Sequence, residues 1–320
     1  MKVALDVSPL RLTQAGTARY IESLVARIDG VEQIAFGGGG RAGVLGRELW
    51  WYPFRLARVR ADVLHCSTYY GPLAPRTPTV VTVHDLAVWK HPEAFGRWTR
   101  TYVPRVVPRV VRAARRVIAV SEFTASELER VLRVPRERIS VVPNGVDDVF
   151  TADGGRTDGD YVLALGTLEP RKNLARTVDA AGRLGIELRI AGAPGWGGVD
   201  VRGAHVTWLG RVDDAELAML LRGARCLIYP SLYEGFGIPV LEAMACGTPV
   251  VTSRGGATEE VAGGAAVLVD PLDSADIAAG IERAERERAT LREAGLTRAR
   301  AFTWDETARL TKAVYEEAAA

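Results

Sequence analysis

Short apolar runs alternate with longer stretches of helical periodicity along this chain, and the alternation occurs twice. In the first half the apolar, β-rich runs fall at residues 3–7, 33–36, 63–65, 79–84, 116–120 and 139–142. Helical stretches lie between them, at about 17–28, 47–59, 97–114 and 121–132. Pro104 and Pro108 predict a kink or break in the third helix, while Ser121, with Thr124 and Glu127 behind it, supplies N-cap chemistry for the fourth. Asn144-Gly145 marks a turn, and residues 151–160 are Gly- and Asp-rich with no large apolar side chain, which reads as a linker. The pattern then restarts. Strands are predicted at 161–165, 187–191, 206–209, 226–229, 248–252 and 266–269, helices at about 174–184, 213–223, 239–246 and 274–286, and a last helical run over 301–320 opened by Phe302-Thr303-Trp304. Strands alternating with helices predict an α/β fold of parallel sheets covered on both faces. Two such Rossmann-like, doubly wound domains, 1–150 and 151–303, would face each other across a cleft beyond the carboxyl ends of their strands, where ligands of such sheets bind.

Composition narrows the class. A length of 320 residues suits two domains of about 150 each. With 48% apolar and 25% charged residues, each can bury its own core. Cys66, Cys226 and Cys246 are too few and too scattered for a disulfide framework or a structural zinc, and read as small buried hydrophobes. The N-terminus turns polar at Lys2 and Asp6, as a first strand does and a signal peptide does not. No apolar run approaches the roughly 20 residues of a spanning helix, so a soluble protein of a reducing, cytoplasmic compartment is expected. The net charge of +2 conceals an asymmetry: residues 1–150 hold 22 Lys and Arg against 14 Asp and Glu, and residues 151–320 hold 19 against 25. A basic half attracts anions such as phosphates, anionic lipid headgroups or nucleic acid.

The stretch 229–249 carries the most chemical information. A strand ends at Tyr229, a Gly-rich loop follows, and Pro239 stands where a first helical residue belongs. The N–H groups and positive dipole end of that helix form a ready phosphate site, which Gly235 and Gly237 let a ligand approach closely. Glu234 lies in the loop and Glu242 about a turn inside the helix. Carboxylates are poor partners for a diphosphate. They suit hydrogen bonds from sugar hydroxyls, one taking the transferred sugar and the other the ribose.

The Glu234-Gly235-Phe236-Gly237-Ile238-Pro239-x-x-Glu242 block, its glutamates eight positions apart, is similar to the signature of retaining glycosyltransferases of family 4, which have the GT-B fold. Further matches follow in order. Ala15-Gly16-Thr17 resembles the family's donor loop, and Thr82-Val83-His84-Asp85 the strand end that carries a His beside the sugar. Ala119-Val120-Ser121-Glu122 and Val142-Pro143-Asn144-Gly145 look like the end of its N-terminal domain. Gly166-Thr167-Leu168-Glu169-Pro170-Arg171-Lys172-Asn173 looks like its phosphate-clamping loop, and Leu209-Gly210-Arg211-Val212 like the segment that packs on the base. The resemblance implies an acceptor-side domain over 1–150, a donor-binding domain over 151–303, and a last helix, 304–320, returning to the first. It implies catalytic roles for His84, Arg171, Lys172 and Glu234, and donor contacts from Gly16, Gly166, Thr167, Arg211, Val212, Gly235, Phe236, Gly237, Ile238 and Glu242. Ala15 stands where many relatives have glycine and Thr167 where many have arginine, which leaves the diphosphate to Arg171 and Lys172. The chain is also shorter than usual between residues 36 and 63, where an acceptor pocket would form.

No HxxxH pair occurs, and the one DxD, Asp158-Gly159-Asp160, sits in the linker before the amino end of its strand. It reads as a turn, so transfer without a metal or cofactor is expected, with Arg171, Lys172 and the helix N-terminus holding the charge. The resemblance leaves two alternatives: a nucleotide-sugar epimerase of the same fold and a non-catalytic nucleotide-sugar-binding protein. A dehydrogenase wants G-x-G-x-x-G after its first strand, which residues 8–16 do not supply. The 166–173 loop resembles branches that use GDP-mannose, which places mannose ahead of a UDP-sugar. The acceptor, a sugar or a lipid-linked sugar of polysaccharide or glycolipid synthesis, is not readable from the motifs. Residues 97–116 carry seven arginines and no acid, beside Trp98 and Tyr102, and Trp50-Trp51-Tyr52-Pro53-Phe54 precedes Arg55, Arg58 and Arg60. Basic residues among aromatics suit peripheral contact with an anionic membrane. The competing reading gives the arginines to ion pairs and the aromatics to the core. No nucleic-acid motif accompanies the charge.

Overall fold

The computed structural model describes residues 1–11, 16–36, 51–195 and 198–320. Ala15, the glycines at 37–40 and the expected helical residues 47–50, Trp50 among them, lie outside the described residues. The chain divides into two compact units, one of residues 1–89, 95–145 and 304–320, the other of 90–94 and 146–303. The division falls at Gly145/Val146 rather than at 150/151 because Val146 is already engaged. Its N–H donates to the carbonyl of Phe302 at 3.1 Å, and it bridges Thr303 in parallel.

In the first unit, strands β1 (Val3–Asp6), β2 (Val31–Ile34), β3 (Val63–Cys66), β4 (Thr79–Val83), β5 (Arg116–Ala119) and β6 (Ile139–Val141) form one sheet in the order β2-β1-β3-β4-β5-β6. Every pairing is parallel. β2 starts two residues ahead of the apolar run at 33–36, since its register sets Val31 opposite Val3. Alternation along each strand sends side chains to two faces. Val3, Leu5, Val63, Val80 and Ile118 pack with the helices Gly16–Arg27 and Trp304–Ala319. Ala4, Leu64, Cys66, Val81 and Val83 pack with Tyr52–Val59, Arg97–Ala113 and Glu122–Leu132. Ser121 caps the last of these, its hydroxyl accepting the N–H of Thr124 at 3.0 Å.

The helix Arg97–Ala113 runs unbroken through Pro104 and Pro108, against expectation. The two prolines, four positions apart, are half-buried, while Val103, Val107, Val110 and Val111 are buried. Four buried valines at roughly 1.5 kcal/mol or more each match or exceed about 3 kcal/mol per proline. The aromatics of this region also turn inward. Trp98, half-buried, stacks on the buried Tyr102 at 4.9 Å, Trp98 and Trp51 pack against the core, and Tyr52 is fully buried. Phe54 stays in solvent, with Arg58 over its ring at 4.4 Å.

The helix Trp304–Ala319 is fastened to the first unit through His65. Its Nδ1 lies 2.6 Å from the Tyr315 hydroxyl and its Nε2 lies 2.8 Å from Thr82 Oγ1, which in turn meets the Tyr20 hydroxyl at 2.9 Å. Burial, with His84 a smaller influence, pushes His65 down to about 3. It is a neutral core histidine.

In the second unit, β7 (Tyr161–Leu165), β8 (Glu187–Ala191), β9 (Val206–Gly210), β10 (Leu227–Tyr229), β11 (Val250–Ser253) and β12 (Val267–Val269) form a parallel sheet in the order β12-β11-β10-β7-β8-β9. The helices Leu174–Leu184, Asp214–Gly223, Ile238–Ala245 and Ser274–Arg286 fall within a residue of their expected places. Two others, Ala257–Ala262 and Arg288–Ala299, were not anticipated. The first is six residues long, and the second buries only Leu291, Gly295 and Ala299, a stripe too small to stand out. All three cysteines are buried and none forms a disulfide among the described residues.

Candidate active site

The order of the second sheet reverses between β7 and β10, since the chain steps outward from β7 through β8 and β9 and then crosses back to the other side. Ligands of open α/β sheets bind beyond the carboxyl ends of the strands at such a point. The two loops leaving that point are the ones that begin at Gly166 and at Pro230. Gly166 has φ +142°, and a Cβ there would stand 3.0 Å from the aliphatic stem of Lys172. Only glycine lets that stem lie across the strand end. A single 3₁₀ turn, Pro170–Lys172, then delivers Arg171 and Lys172 together. Asn173 ends the turn at φ +60°, a conformation asparagine tolerates better than most residues. Its side-chain amide donates to the carbonyls of Pro230 at 2.9 Å and Pro271 at 2.6 Å, tying the turn to the neighbouring loop. The Leu232 N–H completes the tie, donating to the Arg171 carbonyl at 2.8 Å.

This fastening brings Arg171, Lys172 and Glu234 into one part-buried network. Lys172 Nζ lies 2.6 Å from Glu234 Oε1, and Arg171 donates to Glu234 Oε2 at 2.8 Å. Arg171 also holds Glu169 at 2.7 Å and the Tyr233 carbonyl at 2.7 Å. The Tyr229 hydroxyl accepts from Lys172 at 2.7 Å and donates to Glu234 at 2.9 Å. Burial alone would favour a neutral Glu234, but Lys172 and Arg171 outweigh it and hold the carboxyl well below its usual range. Burial likewise opposes charge on Lys172, and Glu234 overcomes it, keeping the ammonium firmly protonated. Burial, reinforced by Glu234, pushes Tyr229 up to about 12, so the phenol remains a donor. Two cations and two carboxylates thus balance within the loops.

The helix Ile238–Ala245 starts at the end of the same loop. Gly237, its N-cap, has φ +109° and makes no side-chain cap, and a Cβ there would meet Thr258 Cγ2 at 2.9 Å. Gly235 and Phe236 are buried, Phe236 edge-on to Phe302 at 6.0 Å. Glu242 is buried inside the helix. Ser231 Oγ, also buried, has no hydrogen-bond partner among the described residues. Thr167 is half-buried in the β7 loop. Arg211, exposed, and Val212, half-buried, follow β9, two strands and about 10 Å from β7. Asp158 and Asp160 lie before the amino end of β7, and Asp160 faces Arg225 at 3.4 Å.

Gly16 and His84 belong to the first unit. Gly16 opens the helix after β1, and His84 follows β4, two strands away at the same carboxyl edge. His84 Nε2 donates to the Ser67 carbonyl at 2.9 Å, and the Tyr20 ring meets it edge-on at 5.1 Å. Burial lowers its pKa, partly offset by that bond and by Asp85, which favours a neutral ring with Nδ1 as acceptor. Glu169, Tyr229 and Asn173 escaped the sequence reading as site residues. Tyr229 and Asn173 find Lys172 and Pro230 57 positions away, whereas Glu169 pairs with Arg171 only two residues on; of the three, the αL-tolerant asparagine after a basic pair carries the local signal.

Two family models cover most of the chain: one described as Glycosyltransferase Family 4 matches residues 12–150, and one described as Glycosyl transferases group 1 matches residues 148–300. The chain belongs to the family 4 glycosyltransferases. Among this glycosyltransferase's relatives, the O-antigen chain mannosyltransferase B of Escherichia coli is 29% identical over 99% of this chain and 100% of its own length. The MMP alpha-(1->4)-mannosyltransferase of Mycolicibacterium hassiacum is 34% identical over 76% of this chain, which spans 66% of that relative. The D-inositol 3-phosphate glycosyltransferase of Mycolicibacterium smegmatis is 35% identical over 75% of this chain, which spans 62% of it. Among solved structures, sucrose-phosphate synthase from Thermosynechococcus elongatus superposes with a TM-score of 0.79 at 20% identity, covering 99% of this chain and 98% of that one. Anabaena HepE in complex with UDP-glucose superposes with a TM-score of 0.77 at 18% identity, covering 99% and 100%. At those identities the superpositions establish the GT-B fold and nothing finer. Among the described residues, no helix is long and apolar enough to cross a membrane.

Proposed function

We propose that this glycosyltransferase moves a mannosyl group from a nucleotide-diphosphate donor, GDP-mannose ahead of a UDP-sugar, to an acceptor hydroxyl with retention of anomeric configuration and without a metal. The observation that carries the reading is the convergence of Arg171 and Lys172 on Glu234 at the switch point of the second sheet. Two part-buried cations beside a helix start with no side-chain cap suit a diphosphate. Glu234 and Glu169 hold the cations in place until the donor's oxygens compete for them. Gly166, Thr167 and the amides of 235–238 line the diphosphate, Arg211 and Val212 flank the base, and Glu242 takes a sugar or ribose hydroxyl. His84 and Gly16 serve the transferred sugar.

In the reaction, the bond from the anomeric carbon to the diphosphate oxygen breaks as the acceptor hydroxyl attacks from the same face. The departing diphosphate takes the hydroxyl proton, and its charge is stabilised by Lys172, Arg171 and the helix amides. No protein carboxylate becomes glycosylated. The mannose assignment leans on the names of the first two relatives, and the first of these also favours a sugar-chain or lipid-linked acceptor.

A panel of nucleotide sugars, scored by thermal stabilisation, tests the donor, since a ligand at 100 times its Kd adds about 2.7 kcal/mol to the native state. GDP-mannose should shift the melt most, and transfer with a mannoside acceptor should survive EDTA and give an α-linked product. A donor panel that leaves the melt unmoved, or full loss of transfer in EDTA with rescue by manganese, would refute this reading. The exposed arginines of Arg97–Ala113 support a peripheral stance on anionic membrane. Co-sedimentation with phosphatidylglycerol vesicles, weakening as salt rises, is the result expected. Equal recovery in the supernatant with neutral and anionic vesicles removes it.

A further inference from the structure

The first unit contains a cavity of about 550 Å³ at the opposite edge of its sheet from His84. Thr79, the first residue of β4, lines it, whereas His84 follows the last, which separates the two by roughly 16 Å along the strand. Four arginines line this cavity, Arg76, Arg112, Arg115 and Arg138, and no acidic residue does. Their surroundings do not neutralise them. Among the described residues, Arg76, Arg112 and Arg115 have no ion pair within 4.0 Å, and no acidic side chain lines the cavity to supply one.

The site is also partly preorganised. Arg138 donates to the carbonyl of Arg112 at 2.9 Å and to that of Ala114, closing the end of the helix Arg97–Ala113 and fixing its own guanidinium at the cavity wall. The Arg115 N–H donates to the Thr79 carbonyl at 2.8 Å, which pins that backbone to the first residue of β4. The opposite wall is Pro75-Arg76-Thr77-Pro78, whose two prolines restrict the backbone around Arg76. Capping a helix end needs one arginine, and Arg138 does it. The other three, Arg76, Arg112 and Arg115, are exposed at the cavity without an ion pair among the described residues, which leaves their guanidinium forks available to an anion.

We propose that this cavity is a second binding site, separate from the transfer reaction, for a ligand bearing two or more phosphate groups. Guanidinium forks match phosphate oxygens two at a time, and a single phosphate would leave most of the four unused. The phosphates belong either to a soluble phosphorylated compound or to a phospholipid headgroup. Calorimetric titration with inorganic tripolyphosphate and co-sedimentation with cardiolipin vesicles, whose headgroup carries two phosphates, separate these sources. Three proteins are compared: the full chain, Arg112→Ala/Arg115→Ala, and a control, Arg183→Ala/Arg286→Ala, which removes equal charge from exposed positions in the second unit.

Tripolyphosphate binding that weakens at least tenfold in Arg112→Ala/Arg115→Ala alone supports the site with a soluble ligand. Vesicle binding lost in that variant alone, with no tripolyphosphate binding by the full chain, supports it with a headgroup. The variant's kcat/KM for transfer to a water-soluble acceptor should stay within twofold of the full chain's. Equal weakening in both double variants, or none in either, overturns the proposal, because the effect would then be general charge or absent.

Discussion

Replacing Lys172 by alanine removes a part-buried ammonium from two partners at once, Glu234 Oε1 at 2.6 Å and the Tyr229 hydroxyl at 2.7 Å. Hydrogen bonds to charged groups contribute about 1.5–3 kcal/mol each, and breaking a buried ion pair by deleting one partner costs about 3–5 kcal/mol. Two features reduce that figure here. The side chains retain 12% and 11% exposure, and Arg171 still holds Glu234 Oε2 at 2.8 Å. A loss of about 2–4 kcal/mol is therefore expected, or about 4–16 °C in Tm at the 2–4 °C per kcal/mol usual for units of this size. Transfer should suffer as well: one charge-assisted contact to the diphosphate lost is about tenfold or more in kcat/KM. Thermal melts and initial rates on Lys172→Ala, Glu234→Gln and the double variant form a cycle whose coupling should reach about 1 kcal/mol. Additive melting temperatures, with kcat/KM for Lys172→Ala near that of the native chain, would show that the pair neither stabilises the loops nor meets the donor.

Three further outcomes are expected. Glu234 has its folded pKa below its ordinary value of 4.5, so the stability it contributes is complete above that value and fades as pH falls toward the lowered one. Urea midpoints of the native chain and Glu234→Gln should thus differ at neutral pH and converge in acid, and a constant gap down to the acid limit would contradict the pairing. Gly237→Ala forces alanine to φ +109° and against Thr258 at 2.9 Å, so melting should show a loss of about 1–3 kcal/mol, and an unchanged Tm would mean the loop relaxes freely. Tyr315→Phe leaves the buried Nδ1 of His65 without its partner. It should lower stability by about 1–3 kcal/mol in urea titration, and a neutral result would show that the hydroxyl does not fasten the last helix.

The parts of this molecule that were legible in its sequence are those written in local spacing. Apolar runs placed the strands to within about two residues, and the 166–173 and 234–242 motifs located the two loops that leave the switch point. Partners distant in the chain were not legible: Arg171 and Glu234 are 63 positions apart, and Asn173 and Pro230 are 57. Tyr229, whose partner Lys172 stands 57 positions away, therefore looked like strand filler, while Glu169 lies two residues from Arg171 and spacing alone does not say that the two side chains pair. The aromatic residues at 98 and 102 misled in the opposite direction. Beside arginines they suggested a surface, but a helix can bury one face of aromatics while its basic face meets solvent, and spacing alone does not say which face a Trp takes. The prolines at 104 and 108 show the same limit, since burial of the valines along their helix overrode their local preference.

The bridge between Val146 and Thr303 bears on how the molecule reaches its native state. It sets the first and last residues of the 146–303 segment side by side, so that this segment stands in the chain like an insertion between 1–145 and 304–320. The contact of Tyr315 with His65 spans 250 positions, and closing a loop of that length in an unfolded chain costs about 5 kcal/mol of entropy beyond a constant. Once 146–303 has folded, the path from His65 to Tyr315 shortens to about 90 flexible residues, and the cost of closure falls by about 1 kcal/mol. The inserted segment thereby acts as a clasp for its host. That difference, about fivefold in an equilibrium constant, favours closing the last helix onto the first unit after the 146–303 segment has folded.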